Sequence, residues 1–115
     1  MSYETGIPAP GTELTYYRGI RNEGGSLVVK GLEDLDPGPS QRVFNHSPDG
    51  FSWGYRGSGP AQLALALLLD VTGDPEISVR LHQEFKETFV AGWGDSWEIP
   101  DAYIKGWVDS KLGTI

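Results

Sequence analysis

Cysteine is absent from the 115 residues, so disulfides, thiolate metal sites and cysteine nucleophiles are excluded at once. Basic residues are scarce. Nine Lys and Arg stand against sixteen Asp and Glu, a net charge of −7, and no basic stripe for general nucleic-acid binding is expected. The longest apolar run, Leu63–Leu69, is far too short to cross a membrane. The opening residues, MSYETGIPAPGTE, hold no basic stretch followed by an apolar one, so no signal peptide is expected and the cytoplasm is the expected compartment. Histidine occurs twice, as His46 and His82, neither in a cluster with metal-ligand spacing; neither metal nor cofactor is expected.

What is present fits one soluble globular domain. Apolar residues make up 38% and charged residues 22%, and sixteen glycines imply many turns or backbone-lined sites. The charge is uneven. Residues 1–56 hold five Lys/Arg against seven Asp/Glu, and residues 57–115 hold four against nine, so a locally basic pocket on an acidic protein remains open.

Residues 1–13 read as a flexible arm and 14–115 as a single α+β domain. LTYYRGI and SLVVKG are β-rich runs around RNEGG, a hairpin. LEDLDPGPSQ, broken by Pro37 and Pro39, reads as a surface loop. A second hairpin is expected over QRVFNH-SPDG-FSWGY, with Phe51, Trp53 and Tyr55 on one face and Ser52, Gly54 and Arg56 on the other. A helix is expected from Ser58–Pro60 to about Thr72, closed by Gly73. Asp74 and Pro75 start a second helix running to about Ala91, with Ile77, Leu81, Phe85 and Phe89 as its core stripe. SWEI suggests a short strand, and Pro100 or Asp101 a last helix with Ile104, Trp107 and Val108 inward. The expected architecture is a small antiparallel sheet from two N-terminal hairpins, packed against two to three C-terminal helices.

The candidate site lies at the mouth of the Ala/Leu helix. A helix N-terminus presents unpaired backbone N–H groups and partial positive charge, which favours anions. Gly57, Ser58, Gly59 and the forked donors of Arg56 suit a phosphate; Trp53 or Tyr55 suits a base; Asn45, His46 and Gln62 suit polar edges. Arg18, beside two tyrosines on the first strand, is a further candidate. Each has a plainer reading as turn, cap or core. The step lacks the lysine of a phosphate-binding P-loop and the third glycine of a dinucleotide fingerprint. His46 and Ser47 are adjacent and so would point to opposite faces of a strand, which argues against a hydrolase dyad. No catalytic residue is singled out.

The block NHSPDGFSWGYRGSGPAQLALALLLD resembles a family of small uncharacterised proteins from bacteria, plasmids and phages. The likeness extends to Tyr17–Gly19, Leu35–Ser40, the turn Asp70–Asp74, Leu81–Lys86 and the region around Trp97 and Trp107. The resemblance supplies no activity and implies a mobile-element or phage setting. Three expectations follow from the residues and that setting together. The first is a non-catalytic binder of a phosphate-bearing, nucleotide-like ligand, a sponge for an immune signal such as a cyclic dinucleotide or an ADP-ribose derivative, with its pocket completed in a homo-oligomer. The second is an acidic inhibitor that docks on a basic host defence nuclease or effector. The third is a small nucleotide hydrolase.

Overall fold

The structure is a computed structural model and describes residues 14–113. The arm expected over residues 1–13 lies outside the described residues. Strand β1 (Tyr16–Asn22) turns through Glu23-Gly24 into β2 (Gly25–Lys30), with Asn22 Oδ1 accepting from the Gly24 N–H at 2.8 Å. A two-residue strand, β3 (Glu33–Asp34), adds to β2. The chain then leaves the sheet and returns only as β4 (Ser96–Pro100), which pairs antiparallel with β1. The order is β3-β2-β1-β4, antiparallel throughout.

Between β3 and β4 lie a six-residue helix α1 (Gly38–Val43), α2 (Ser58–Thr72), α3 (Pro75–Thr88) and a 3-10 turn at Val90–Gly92; α4 (Asp101–Leu112) follows β4. The α+β class and the sheet-and-helix layering are as the sequence implies. The bounds of α2, the closing Gly73 and the cap of α3 also agree: the Asp74 side chain accepts from the Ile77 N–H at 3.1 Å, and Pro75 occupies the first turn. Leu81 and Phe85 are fully in the core, whereas Ile77 and Phe89 are only part-buried at the ends of their stripe.

Two expectations fail over residues 37–57. Pro39 lies in the first turn of α1, which starts at Gly38, instead of sustaining a loop, because a proline in the first helical turn forfeits no hydrogen bond. The second hairpin does not form. Its turn exists, with the Gly50 N–H donating to Ser47 O at 3.2 Å, but no strand flanks it. Gly54 takes φ +89°, outside the strand region, and its N–H bonds Val90 O at 3.0 Å instead of a neighbouring strand. The alternation of the three aromatics is lost with it. Trp53 is enclosed, Phe51 is part-buried and Tyr55 is exposed.

Trp53 is fixed from several sides. Its Nε1–H donates to Gly94 O at 2.6 Å, its ring meets Trp97 edge to face at 5.7 Å, and the Arg21 guanidinium lies over it at 4.9 Å. Trp97 in turn stacks on Trp93 and lies across Gly19 of β1. A Cβ at Gly19 would fall 2.3 Å from the Trp97 Nε1 atom, so only glycine fits beneath that indole.

One face of the sheet (Tyr17, Val28, Trp97, Ile99) joins α2, α3 and α4 in a single core. Leu67, on α2, is completely enclosed there. Leu67→Ala is expected to cost about 2–5 kcal/mol in a urea or thermal unfolding experiment, the range for a buried leucine whose cavity cannot fully collapse. A loss below about 1 kcal/mol would contradict that packing.

Candidate functional site

The amino end of α2 has no side-chain cap. Gly57 occupies the cap position in extended conformation, and Ser58, the first helical residue, is exposed. The Tyr55 ring lies against Gly57; a Cβ at Gly57 would sit 2.5 Å from the ring edge. Arg56 is exposed, with its Nε donating to Glu87 Oε1 of α3 at 2.6 Å. Tyr55, Arg56, Gly57 and Ser58 therefore do gather at one place, while Gly59 is buried one residue further in.

Gln62, one turn along, serves a different purpose. It is fully buried, and both ends of its amide are occupied. Oε1 accepts from the backbone N–H groups of His46 (2.7 Å) and Ser47 (2.9 Å), and Nε2 donates to Ser40 Oγ (3.0 Å) and Phe44 O (3.1 Å). The amide thus pins α1 and the loop after it to α2. Asn45 is exposed on that loop, His46 half-buried. Trp53 is in the core, and Arg18 is on the sheet. The ten candidate residues divide into a helix mouth (Tyr55–Gly59), the buried pin Gln62, the loop residues Asn45 and His46, and two outlying side chains, Trp53 and Arg18.

Sequence spacing gave no sign that His46 meets His82. The two Nε2 atoms are 2.9 Å apart although the residues are 36 positions apart. His82, on α3, donates from Nδ1 to Val79 O at 2.6 Å, which leaves its Nε2 lone pair to accept from His46 Nε2–H. His46 also stacks on Phe44, with centroids 4.2 Å apart and planes 8° from parallel. Burial pushes the pKa of both imidazoles below the usual histidine value. His82 and then Lys86 add to the shift at His46; at His82 the bond to Val79 opposes it and Lys86 reinforces it.

The second feature is the sheet face turned away from the helices. Strand alternation places Ile20 opposite Leu27 there, and sets Arg18 between Val29 of β2 and Glu98 of β4. Ile20 is 52% and Leu27 48% exposed. They line an open, largely apolar cavity of about 540 Å³ with Val29, Ser96 and the Arg18–Glu98 ion pair, whose N···O distance is 3.1 Å. Leu27 also borders a cleft of about 430 Å³ whose walls carry Asp34, Asp36 and Asp49 beside Leu35 and Phe51. The outward positions of Ile20 and Leu27 were available in the strand alternation; the three aspartates converge only through α1 and the Ser47–Gly50 turn.

Among the described residues no helix is long and apolar enough to cross a membrane, and no group of three His, Cys, Asp or Glu is placed to hold a metal ion. The chain belongs to DUF6166, a family of unknown function, which it matches over residues 17–110. No curated protein and no solved structure matches it.

Two outcomes are expected from this geometry. Gln62→Leu removes four hydrogen bonds and strands backbone groups of the 44–47 loop, so it should cost about 2–4 kcal/mol in chemical denaturation. A cost below about 1 kcal/mol would show that the pin does not hold the loop. The histidine pair sets a pH dependence. Both pKa values are lowered on folding, so the unfolded chain binds more protons, and stability should fall as pH drops below the unfolded value of about 6.5. Urea midpoints measured from neutral pH down to the onset of carboxylate titration should decline in the wild type and be flatter in His46→Gln. Equal slopes would contradict the pairing.

Proposed function

We propose that the protein is a non-catalytic binding protein that docks on a basic partner protein through the uncovered face of its sheet. The observation that carries this reading is an apolar groove on the uncovered sheet face beside an edge cleft bearing three carboxylates, with Leu27 lining both. A groove of this size with few polar groups suits apolar side chains, and the aspartates suit the cationic heads of lysine or arginine beside them. The groove floor carries one positive and one negative charge, Arg18 and Glu98, and so adds no net repulsion toward a partner of either sign. In the mobile-element setting implied by the family resemblance, the partner class is a host defence nuclease or effector, and the action is inhibition by occupancy.

A second reading keeps one specific observation. The exposed Ser58 hydroxyl and the uncapped start of α2 stand beside Arg56 and Tyr55, an arrangement that suits a phosphate-bearing, nucleotide-like ligand held by a sponge. It loses support from three residues once counted toward it, because Gln62 is fully bonded, Trp53 is enclosed and Arg18 is on the sheet face.

Amide NMR separates the two. The labelled protein is titrated with a peptide of alternating arginine and leucine, with its glutamate-for-arginine counterpart, and with cyclic dinucleotides and ADP-ribose. Docking on the sheet predicts shifts at Leu27, Val29, Asp34 and Asp49 with the basic peptide alone. They should weaken in high salt and in the Asp34→Asn, Asp36→Asn, Asp49→Asn triple variant. Silence of those amides, or shifts confined to Tyr55–Ser58 with the nucleotides, would overturn the proposal.

A further inference from the structure

The described chain leaves one edge of its sheet open. β4 is the last strand in the order, and the register shows which way its backbone groups point. The Arg21 N–H bonds Asp95 O and the Asp101 N–H bonds Thr15 O, each at 2.8 Å. Trp97 and Ile99, which alternate with these, are therefore the β4 residues that exchange hydrogen bonds with β1. Ser96 and Glu98 turn their N–H and C=O groups the other way, and these four groups meet no partner among the described residues. The opposite edge is better closed: β3 pairs with Val29 and Lys30 of β2, and the Leu35 N–H bonds Val28 O at 2.9 Å. Natural sheets guard exposed edges with lysine, bulges or proline, and of these β4 carries only its terminal Pro100.

Resting on the docking reading above, we infer that the partner is held by an extended, basic segment that adds to this edge as a fifth strand, antiparallel to β4. The cross-strand rows define what that segment carries. Leu27, Ile20 and Ser96 stand in one row across the outer face, and Val29, Arg18 and Glu98 stand in the next. A strand about 4.8 Å beyond β4 lengthens each row by one residue. The position beside Ser96 continues the apolar groove and suits an apolar side chain. The position beside Glu98 suits arginine or lysine. Arg18 engages Oε1 of Glu98 at 3.1 Å, which leaves Oε2 to accept from a second cation on the open side. Asp95 and Asp101 flank the strand at its two ends, so the whole edge favours a basic segment. The two positions lie two residues apart on one face. Read from its amino end, an antiparallel segment therefore meets Glu98 with a basic residue and Ser96 with an apolar one, with any residue between.

The test uses the full chain and the peptide Thr-Thr-Arg-Thr-Leu-Thr-Thr. In this register the arginine and leucine N–H groups face β4, and that of the threonine between them faces away. N-methylation at the arginine or the leucine should weaken binding about tenfold or more, and N-methylation at the central threonine less than about twofold. Bound peptide should also slow hydrogen exchange at the Ser96 and Glu98 amides, the two that lack a partner in the free chain. Glu98 is exposed, so Glu98→Lys should fold and should prefer the glutamate-for-arginine peptide. Equal weakening by all three methylations, unchanged exchange at Ser96 and Glu98 under saturating peptide, or an unaltered preference in Glu98→Lys would each overturn the added strand. In that event, shifts at Leu27 and Val29 with the alternating arginine–leucine peptide would still uphold docking on the sheet face, and their absence would overturn both.

Discussion

A helix that is apolar on every side has to be enclosed on every side, and α2 imposes that requirement on the rest of the chain. Ten consecutive residues, Gly59–Leu68, are buried. Each enclosed leucine contributes roughly 2 kcal/mol relative to exposure, so no surface position for this helix competes with its enclosure. The inner face of the sheet, α1, α3 and α4 supply the walls. With all four helices committed to one side, nothing in the described chain covers the other face of the sheet. The open groove over Ile20 and Leu27 is thus the complement of the buried helix.

An enclosed apolar helix has few means of fixing its neighbours in register, and two polar side chains provide them. Near the start, Gln62 bonds the loop after α1. Near the end, Asp70 accepts from Tyr17 Oη at 2.5 Å and from Lys30 Nζ at 2.8 Å, joining both strands of the hairpin to the helix. Burial pushes the Tyr17 phenol far above its ordinary pKa, and the bond to Asp70 and the nearby carboxylate charges add to that, so it stays a proton donor to Asp70 at any ordinary pH. The Gln62 pin has a consequence further out. By holding the His46 backbone it places that ring against His82, so the imidazole pair depends on a hydrogen bond made inside the core.

How far the sequence revealed this depends on how local the determining interactions are. The ends of α2 and α3 are set by Gly73, Asp74 and Pro75 acting on their immediate neighbours, and these were legible. So were the first hairpin, the SWEI strand and the last helix. Residues 44–57 were misread because their backbone is fixed from a distance: Gly54 by Val90, the Trp53 indole by Gly94, the Trp53 carbonyl by Arg21. No window of sequence contains both partners. The polar and aromatic concentration between Asn45 and Gln62 was visible, but much of its cause is Gln62 itself, which gathers that loop to satisfy a buried amide. The pairing of His46 with His82 left no trace in spacing at all.

Charge pairing bears on which surface is available to a partner. Arg18, Arg21, Lys30, Arg56 and Lys111 meet Glu98, Asp95, Asp70, Glu87 and Glu84, and Lys86 shares Glu87 with Arg56. Six of the nine basic residues thus meet an acid, and exposed pairs of this kind contribute at most about 1 kcal/mol each to stability. Their effect is chiefly on where net charge remains. At the mouth of α2 Arg56 is held by Glu87 at 2.6 Å, a carboxylate that Lys86 also meets at 3.5 Å; a phosphate arriving there must compete with that carboxylate before it gains the guanidinium. At the β2–β3 side a basic side chain approaching Asp34, Asp36 and Asp49 adds to an existing imbalance in its favour and also covers Leu27. On a chain of net charge −7, the first arrangement works against its ligand and the second works with it. That asymmetry is why the proposed docking function is placed on the uncovered sheet face and not at the helix mouth.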